Sequence, residues 1–424
     1  MKDNNIIIIG SGAAGISALE AFRQLNQSAP VVIISGEQMP NYSPCALPYV
    51  ISEELPYKQV PRLDQYFLKR IKAKPIFGSR VCRINTQRRS VVLDNGKSFS
   101  YGKLLIASGS GPVVPPIPGI GTKGVFTVDT LKNTRKITGY LAKHKVKKAA
   151  VIGAGFTGIE TALALNKQGI KTVIIELLDR ILARILDADF ASIAGQFIKA
   201  EGVEVKLNTK LVEIKGSEKV SGIIIRPAPL EASPLTGPAV QDDKPESSID
   251  CQMVIIAIGV KPNTAFMENS GITIFDKGIV VDEHMRTNMP DVYAAGDVAE
   301  SFDYLSGERT ISAIWPNAIE QGRVAGQNMA GLASAYAGAQ AINIINIHGQ
   351  PIVSMGKIGA PEIIDYRNDA SFRRLFVTGG KITGFESIGE YRNSGFIWSC
   401  LTKRTDITNI KSRLLRDNFI PLRG

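Results

Sequence analysis

The sequence predicts an α/β chain: two nested Rossmann-like, three-layer ββα dinucleotide-binding domains, followed by a small α+β domain at the C-terminal end. Three observations predict it. Gly10, Gly12 and Gly15 stand in Ile-Ile-Ile-Ile-Gly-Ser-Gly-Ala-Ala-Gly, between a short apolar run and a helix-forming stretch. Gly153, Gly155 and Gly158 repeat that spacing in GAGFTG, again between a buried-type strand and a helix. From about Ile342 the chain alternates as short strands and ends in a helix with a basic tail.

Each glycine in such a turn answers a separate need. The first permits a tight bend, the second lets a pyrophosphate approach the backbone, and the third lets helix and strand pack closely. The opening helix then turns free amides and the positive end of its dipole toward the phosphates. An acidic residue is expected after the second strand, where it accepts bonds from ribose hydroxyls. In the second unit Glu176 follows Thr-Val-Ile-Ile directly, and its carboxylate favours NADH over NADPH by repelling a 2′-phosphate. In the first unit Ser35 holds that place, and Glu37, two residues on, is assigned the ribose contact.

Between these turns the elements read in order. A strand Ile6–Ile9 leads through the first turn into a helix to about Leu25, and Val31–Ile34 is the next buried strand. The proline-rich NYSPCALPYVI precedes a helix expected around Leu63–Lys72. Pro75 to Tyr101 alternates as antiparallel strands, with Asp94-Asn95-Gly96 as a hairpin turn. KLLIASGSG is a strand ending in glycines, and VVPPIPGIG is a stiff linker. The second unit starts with Ala149–Ile152, a helix to about Gln168 and a strand Thr172–Ile175, followed by more alternating strands. Pro227–Ile249, rich in Pro, Ser, Asp and Glu, is expected to be a flexible surface insertion. VIIAIGV and DVYAAGDVAE are strands meeting glycine, and WPNAIEQGRVAGQNMAG opens a helix.

Composition narrows the function. A chain of 424 residues, 44% hydrophobic and 21% charged, suits two or three globular units. No apolar run approaches the ~18–20 residues of a membrane span. The apolar part of the first ten residues is too short for an export signal and leads straight into a glycine turn, so a reducing cytoplasm is expected. Cys45, Cys82, Cys251 and Cys400 lie far apart with no CxxC pair, which argues against a metal centre or a disulfide scaffold. The formal charge of +11 gathers in Lys69–Lys74, in Arg80, Arg83, Arg88 and Arg89, and in Lys143–Lys148. Such a surface attracts acidic proteins. No nucleic-acid module accompanies it, and no nucleic-acid partner is expected.

The two turns, the nested order, and the segments LLIASGSGP and DVYAAGDVA together resemble the FAD-dependent pyridine-nucleotide disulfide oxidoreductase superfamily, over essentially the whole chain. The resemblance implies FAD on the first turn and NAD(H) on the second. It implies an FAD-binding domain over 1–115 and 263–338, an NAD(H)-binding domain over 116–262, and a C-terminal interface or dimerisation domain over 339–424. Ala107–Gly109 and Ala257–Gly259 would mark the crossings between domains. Asp297 would bond the flavin ribityl chain or pyrophosphate, and the helix opening near Asn317–Gln321 would aim its dipole at the flavin C2 carbonyl. Phe156 would cover the flavin until nicotinamide displaces it, and Glu160 would lie near the nicotinamide carboxamide. The implied cofactor-binding set also includes Ala13, Ala14, Pro44, Val81, Ser108, Thr157, Gly296 and Ala318.

Tyr42-Ser43-Pro44-Cys45-Ala46-Leu47-Pro48-Tyr49 resembles the single-cysteine branch, which includes coenzyme A disulfide reductases and NADH oxidases, with Ala46 replacing the usual Gly. The resemblance puts Cys45 beside the flavin, with a lowered thiol pKa and the means to attack a disulfide or persulfide. Ala13 stands where NADH oxidases and peroxidases of the branch usually carry a His, so peroxidase chemistry is not expected. The late His348 has no partner Glu following it, and the last tyrosine, Tyr391, precedes a tail without one, which weakens the disulfide reductase reading. The expected function is therefore hydride exchange between NADH and FAD, with electrons passed to or from an acidic redox or iron–sulfur subunit of a larger complex, as in NADH-linked subunits of nitrite reductases or 2-oxoacid:acceptor oxidoreductases. Two alternatives stand beside it: a coenzyme A disulfide or persulfide reductase acting through Cys45, and an NADH-sensing flavoprotein. A homodimer and a small-molecule disulfide are further partners these readings admit.

Overall fold

The computed structural model describes residues 5–38, 42–60, 66–228, 245–276, 278–389, 393–417 and 419. They form two compact units. The first gathers 1–43, 59–111 and 260–340; the second gathers 44–58, 112–259 and 341–424.

In the first unit five parallel strands lie in the order Val292–Ala294, Lys103–Ile106, Ile6–Ile9, Val31–Ser35, Ala73–Phe77. The central strand, Ile6–Ile9, is buried throughout, as a strand covered on both faces must be. The antiparallel sheet of Val81–Asn85, Ser90–Leu93 and Ser98–Ser100 shares one core with it and with the helices Ala13–Leu25 and Trp315–Met329. This is the three-layer ββα arrangement. Pro75, expected in an antiparallel strand, belongs to the parallel edge strand Ala73–Phe77, where a proline is tolerated because one side of an edge needs no donor. The helix expected over Leu63–Lys72 is described only as Phe67–Arg70, and 61–65 lie outside the described residues.

The second unit repeats the plan. Its parallel strands run in the order Glu204–Lys206, Lys171–Ile175, Lys148–Ile152, Met253–Ile256, Val125–Thr127, beside an antiparallel sheet of Thr209–Lys215, Gly222–Pro227 and Ser247–Asp250. Two helices not foreseen from sequence, Leu131–Lys143 and Ala188–Ala200, pack in its core. Both begin at side-chain caps, Thr130 accepting from the Asn133 amide and Asp187 from the Phe190 amide. The ends of the expected Pro227–Ile249 insertion are strand residues, and its middle, 229–244, lies outside the described residues.

The same unit holds a five-stranded antiparallel sheet in the order Ile342–Ile347, Gln350–Gly356, Lys381–Gly389, Ser371–Thr378, Glu362–Arg367, with helices Ser394–Thr402 and Lys411–Leu414. This sheet joins the Ala188–Ala200 helix through a stack of Phe190 on Phe372, with ring centroids 4.3 Å apart. Arg374 lies against both rings and pairs with Asp187, Asp189 and Asp365. Residues 116–259 and 341–424 fall in this one compact unit, and 260–262 with 339–340 in the first. Tyr391 lies outside the described residues. Among the described residues no helix is long and apolar enough to cross a membrane.

Candidate functional site

In the first unit Gly10 has a φ of +106°, and a Cβ there would collide with the Ala107 carbonyl. A Cβ at Gly15 would collide with the Gly10 carbonyl. A Cβ at Gly12 would meet nothing within 4 Å, so this glycine faces open space. The Gly10 amide donates to the Ile34 carbonyl (2.7 Å) and the Ala107 amide to that of Ile9 (2.8 Å), which fixes the turn at the ends of three strands. Gly12 caps the Ala13–Leu25 helix without a side-chain acceptor, leaving first-turn amides for an anion.

The Trp315–Met329 helix reaches the same place because it lacks side chains at two points. Gly322 and Gly326 press on the backbone of Ala14 and Ala18, where any Cβ would collide. Its N-terminus also has no side-chain cap. Gly296 (φ +81°) sits between Ala14 and Ala318. Its amide donates to Oε1 of the fully buried Gln321 at 2.8 Å. Asp297 follows. Burial raises its carboxyl above the usual range, opposed by the Ser110 hydroxyl, which donates to Oδ2 at 2.7 Å. The Asn317 side chain is committed elsewhere: its amide donates to Ser312 Oγ (2.7 Å) and the Gln340 carbonyl (3.1 Å). Ser108 and Gly109 are held by Asn263 through Ser108 Oγ to the Asn263 carbonyl (2.9 Å) and the Asn263 amide to the Gly109 carbonyl (3.0 Å). Glu37 accepts from the Tyr42 hydroxyl at 2.7 Å, and its amide donates to Ser35 Oγ at 3.3 Å. Val81 is buried and pairs with Leu93.

The second turn is built by the same bonds. Gly153 has a φ of +105°, its Cβ would overlap the Ala257 carbonyl, and a Cβ at Gly158 would meet the Gly153 carbonyl. Gly155, capping Phe156–Lys167, faces open space. The Gly153 amide donates to the Ile175 carbonyl and the Ala257 amide to that of Ile152, both at 2.8 Å. Glu176 accepts from the Ala154 amide (2.5 Å, Oε2) and from the Leu178 amide (2.9 Å, Oε1). Phe156 is half-buried and Thr157 exposed in the first helical turn. One turn further, burial pushes the half-buried Glu160 carboxyl up to about 7. Gly259 (φ +118°) is exposed, and its carbonyl accepts from the Val113 amide at 2.9 Å.

Pro44 and Cys45 fall in the second unit, on the short turn Pro44–Ala46, with Cys45 exposed and unpaired. The following helix, Leu47–Ile51, buries Ile51 in that unit's core. It is tied to the far end of the Phe156–Lys167 helix by Gln168 Nε2 on the Ser52 carbonyl and Lys167 Nζ on Glu54 Oε1, both at 2.7 Å. Sequence reasoning gave no role to Ser110 or Asn263 and did not foresee the bond between Gln321 and Gly296. These bonds join residues 187, 155 and 25 apart in the chain, beyond the reach of local pattern.

Both turns fit a dinucleotide: one open glycine, an uncapped helix start and a carboxylate past the second strand. The family model described as pyridine nucleotide-disulphide oxidoreductase matches residues 4–322. An NADH oxidase of Methanocaldococcus jannaschii is 33% identical over 336 residues, covering 78% of this chain and 71% of the relative. The NADH-dependent phenylglyoxylate dehydrogenase subunit epsilon of Aromatoleum evansii is 28% identical over 98% of this chain and 95% of its own length. A solved NAD-dependent persulfide reductase from A. fulgidus shares the fold, with a TM-score of 0.84 at 24% identity over 95% of this chain and 77% of that one. The chain belongs to the pyridine nucleotide-disulphide oxidoreductase family, and is an FAD-dependent NAD(P)H oxidoreductase whose cofactors are FAD and NAD(H).

Proposed function

We propose that this oxidoreductase works as the NADH-linked flavoprotein subunit of a larger complex in the reducing cytoplasm, exchanging electrons with an acidic redox or iron–sulfur subunit. One observation carries the partner reading: the match runs almost end to end, over 98% of this chain and 95% of the relative, with a protein named as a dehydrogenase subunit. The +11 charge supports it, since opposite charge steers docking of an acidic carrier. Flavin, when bound, supplies the exchange of a hydride for single electrons.

Residues of the chain hold and orient. Residues 1–115 with 263–338 are assigned to FAD, 116–262 to NAD(H), and 339–424 to subunit contact. Gly10, Gly12, Gly15 and the two uncapped helices take the FAD phosphates and the flavin carbonyl end. Asp297, kept in place by Ser110, is assigned to the flavin ribityl chain or the pyrophosphate. Gly153, Gly155 and Gly158 take the NADH pyrophosphate, and Glu176 its ribose. Glu160 holds a proton at its carboxyl below about 7 and so can donate to a carboxamide oxygen. Purification from native cells tests this function: the outcome expected is a stoichiometric complex whose redox subunit is reduced by NADH. An isolated homodimer turning over small-molecule sulfur compounds at full rate would refute it.

A second reading rests on the exposed, unpaired Cys45. There the thiolate attacks a disulfide, forms a mixed disulfide and releases one thiolate; two electrons from NADH, taken up with a proton, then break the mixed disulfide, release the second thiol and restore the Cys45 thiolate. Anaerobic NADH oxidation with coenzyme A disulfide in wild type and Cys45→Ser decides it; equal turnover removes the thiol route.

A further inference from the structure

Ala154, the residue between the first two glycines of the second turn, is gripped from both sides. Its amide donates to Glu176 Oε2 at 2.5 Å, and its carbonyl accepts from the Leu182 amide at 2.9 Å. Both partners belong to the loop that follows the strand Lys171–Ile175. Glu176 also binds the loop to itself, through the Leu178 amide at 2.9 Å. Ala154 is 1% exposed, so an amide there cannot turn to water if its acceptor is lost. Gly155, the open glycine, comes next in the chain. In the first turn the corresponding residue is Ser11, and the strand ends on Ser35.

We propose that Glu176 is a positioning residue for the phosphate-binding turn, through its grip on Ala154, in addition to its contact with ribose. The proposal rests on the assignment of this turn to NAD(H) and extends it. A carboxylate that served the ribose alone would be a discriminator: removing it would cost only what the 2′-hydroxyl gives and would open the site to a 2′-phosphate. A carboxylate that also holds the Ala154 amide by a charge-assisted bond sets the backbone that the pyrophosphate meets. Its removal then weakens every nucleotide diphosphate, whatever the ribose carries. Cofactor preference on this turn cannot be exchanged by changing Glu176 alone.

The test uses FAD-loaded protein and four probes: ADP, 2′-deoxy-ADP, NADH and NADPH, with dissociation constants from calorimetry. Amide hydrogen exchange at Ala154 is followed without nucleotide. In Glu176→Ala, 2′-deoxy-ADP is expected to weaken by about tenfold and ADP by at least as much, since ADP also loses the ribose contact, with no gain for NADPH and faster exchange at Ala154. Glu176→Gln retains one acceptor oxygen; it should fall between the two and serves if the alanine variant does not fold. Wild-type affinity for 2′-deoxy-ADP in Glu176→Ala, a tenfold gain for NADPH, or unchanged exchange at Ala154 would each overturn the proposal. The site assignment fails separately: it falls if Gly155→Val, which fills the open position, binds ADP as wild type does. The exchange rate at Ala154 still decides the positioning role in that case.

Discussion

Gly153 and Gly155 stand two residues apart, yet they answer to different constraints. At Gly153 the φ of +105° and the Ala257 carbonyl both exclude a Cβ. Gly153→Ala should therefore cost about 2–5 kcal/mol of stability, read from denaturant unfolding. At Gly155 the backbone is extended (φ −80°, ψ −176°) and space is open. Gly155→Val should lose at most about 1 kcal/mol of stability, while NADH affinity falls by about tenfold or more. Glu160 offers a pH readout. Its carboxyl, raised by burial to about 7, is favoured in its protonated form by the fold. The stability it contributes is full below the unfolded carboxylate value and is lost as pH rises through about 7. Glu160→Gln should flatten both the melting temperature and the rate of NADH-dependent flavin reduction between pH 6 and pH 8. A profile identical to wild type would remove Glu160 from the nicotinamide site.

Among the elements, the Ala188–Ala200 helix and the C-terminal sheet meet over Phe190, Phe372 and Arg374. Phe190 is fully buried, so Phe190→Ala should cost about 3–5 kcal/mol in unfolding free energy. Glu386 lies in the same contact, accepting from the Asp187 amide at 2.9 Å, and burial pushes its carboxyl up to about 8. Asp187, Asp189 and Asp365 already surround Arg374, so an ionised Glu386 adds a fourth negative charge to one guanidinium. Stability from the neutral form is lost as pH rises toward about 8. Melting temperature should fall from pH 6 to pH 9 in wild type and change less in Glu386→Gln. The glycine turns were legible in the sequence because their constraint is local: a left-handed residue or a missing Cβ leaves a glycine in the text. The helices Leu131–Lys143 and Ala188–Ala200 were missed although their caps, Thr130 and Asp187, stand in plain view. Gln321 on Gly296 and Glu176 on Ala154 were beyond reach, since such bonds depend on how distant segments meet.

For the molecule as a whole, the net charge of +11 makes association with an acidic partner dependent on salt. The association rate should fall by about tenfold or more between low and physiological ionic strength, measured by stopped flow, with dissociation changing less. The second unit's parallel sheet is complete by Ile256. The first unit's sheet waits for Val292–Ala294 to pair with Lys103–Ile106, nearly 190 residues after that strand has left the ribosome. The helix that carries Gly322 and Gly326, which press on the backbone of Ala14 and Ala18, is made later still. The parallel sheet of the first unit is thus a long-range closure made late and slowly, whereas that of the second unit is made of more local contacts. A nascent chain halted before Gly322 should already bind ADP through Gly153–Gly158 and not yet retain FAD.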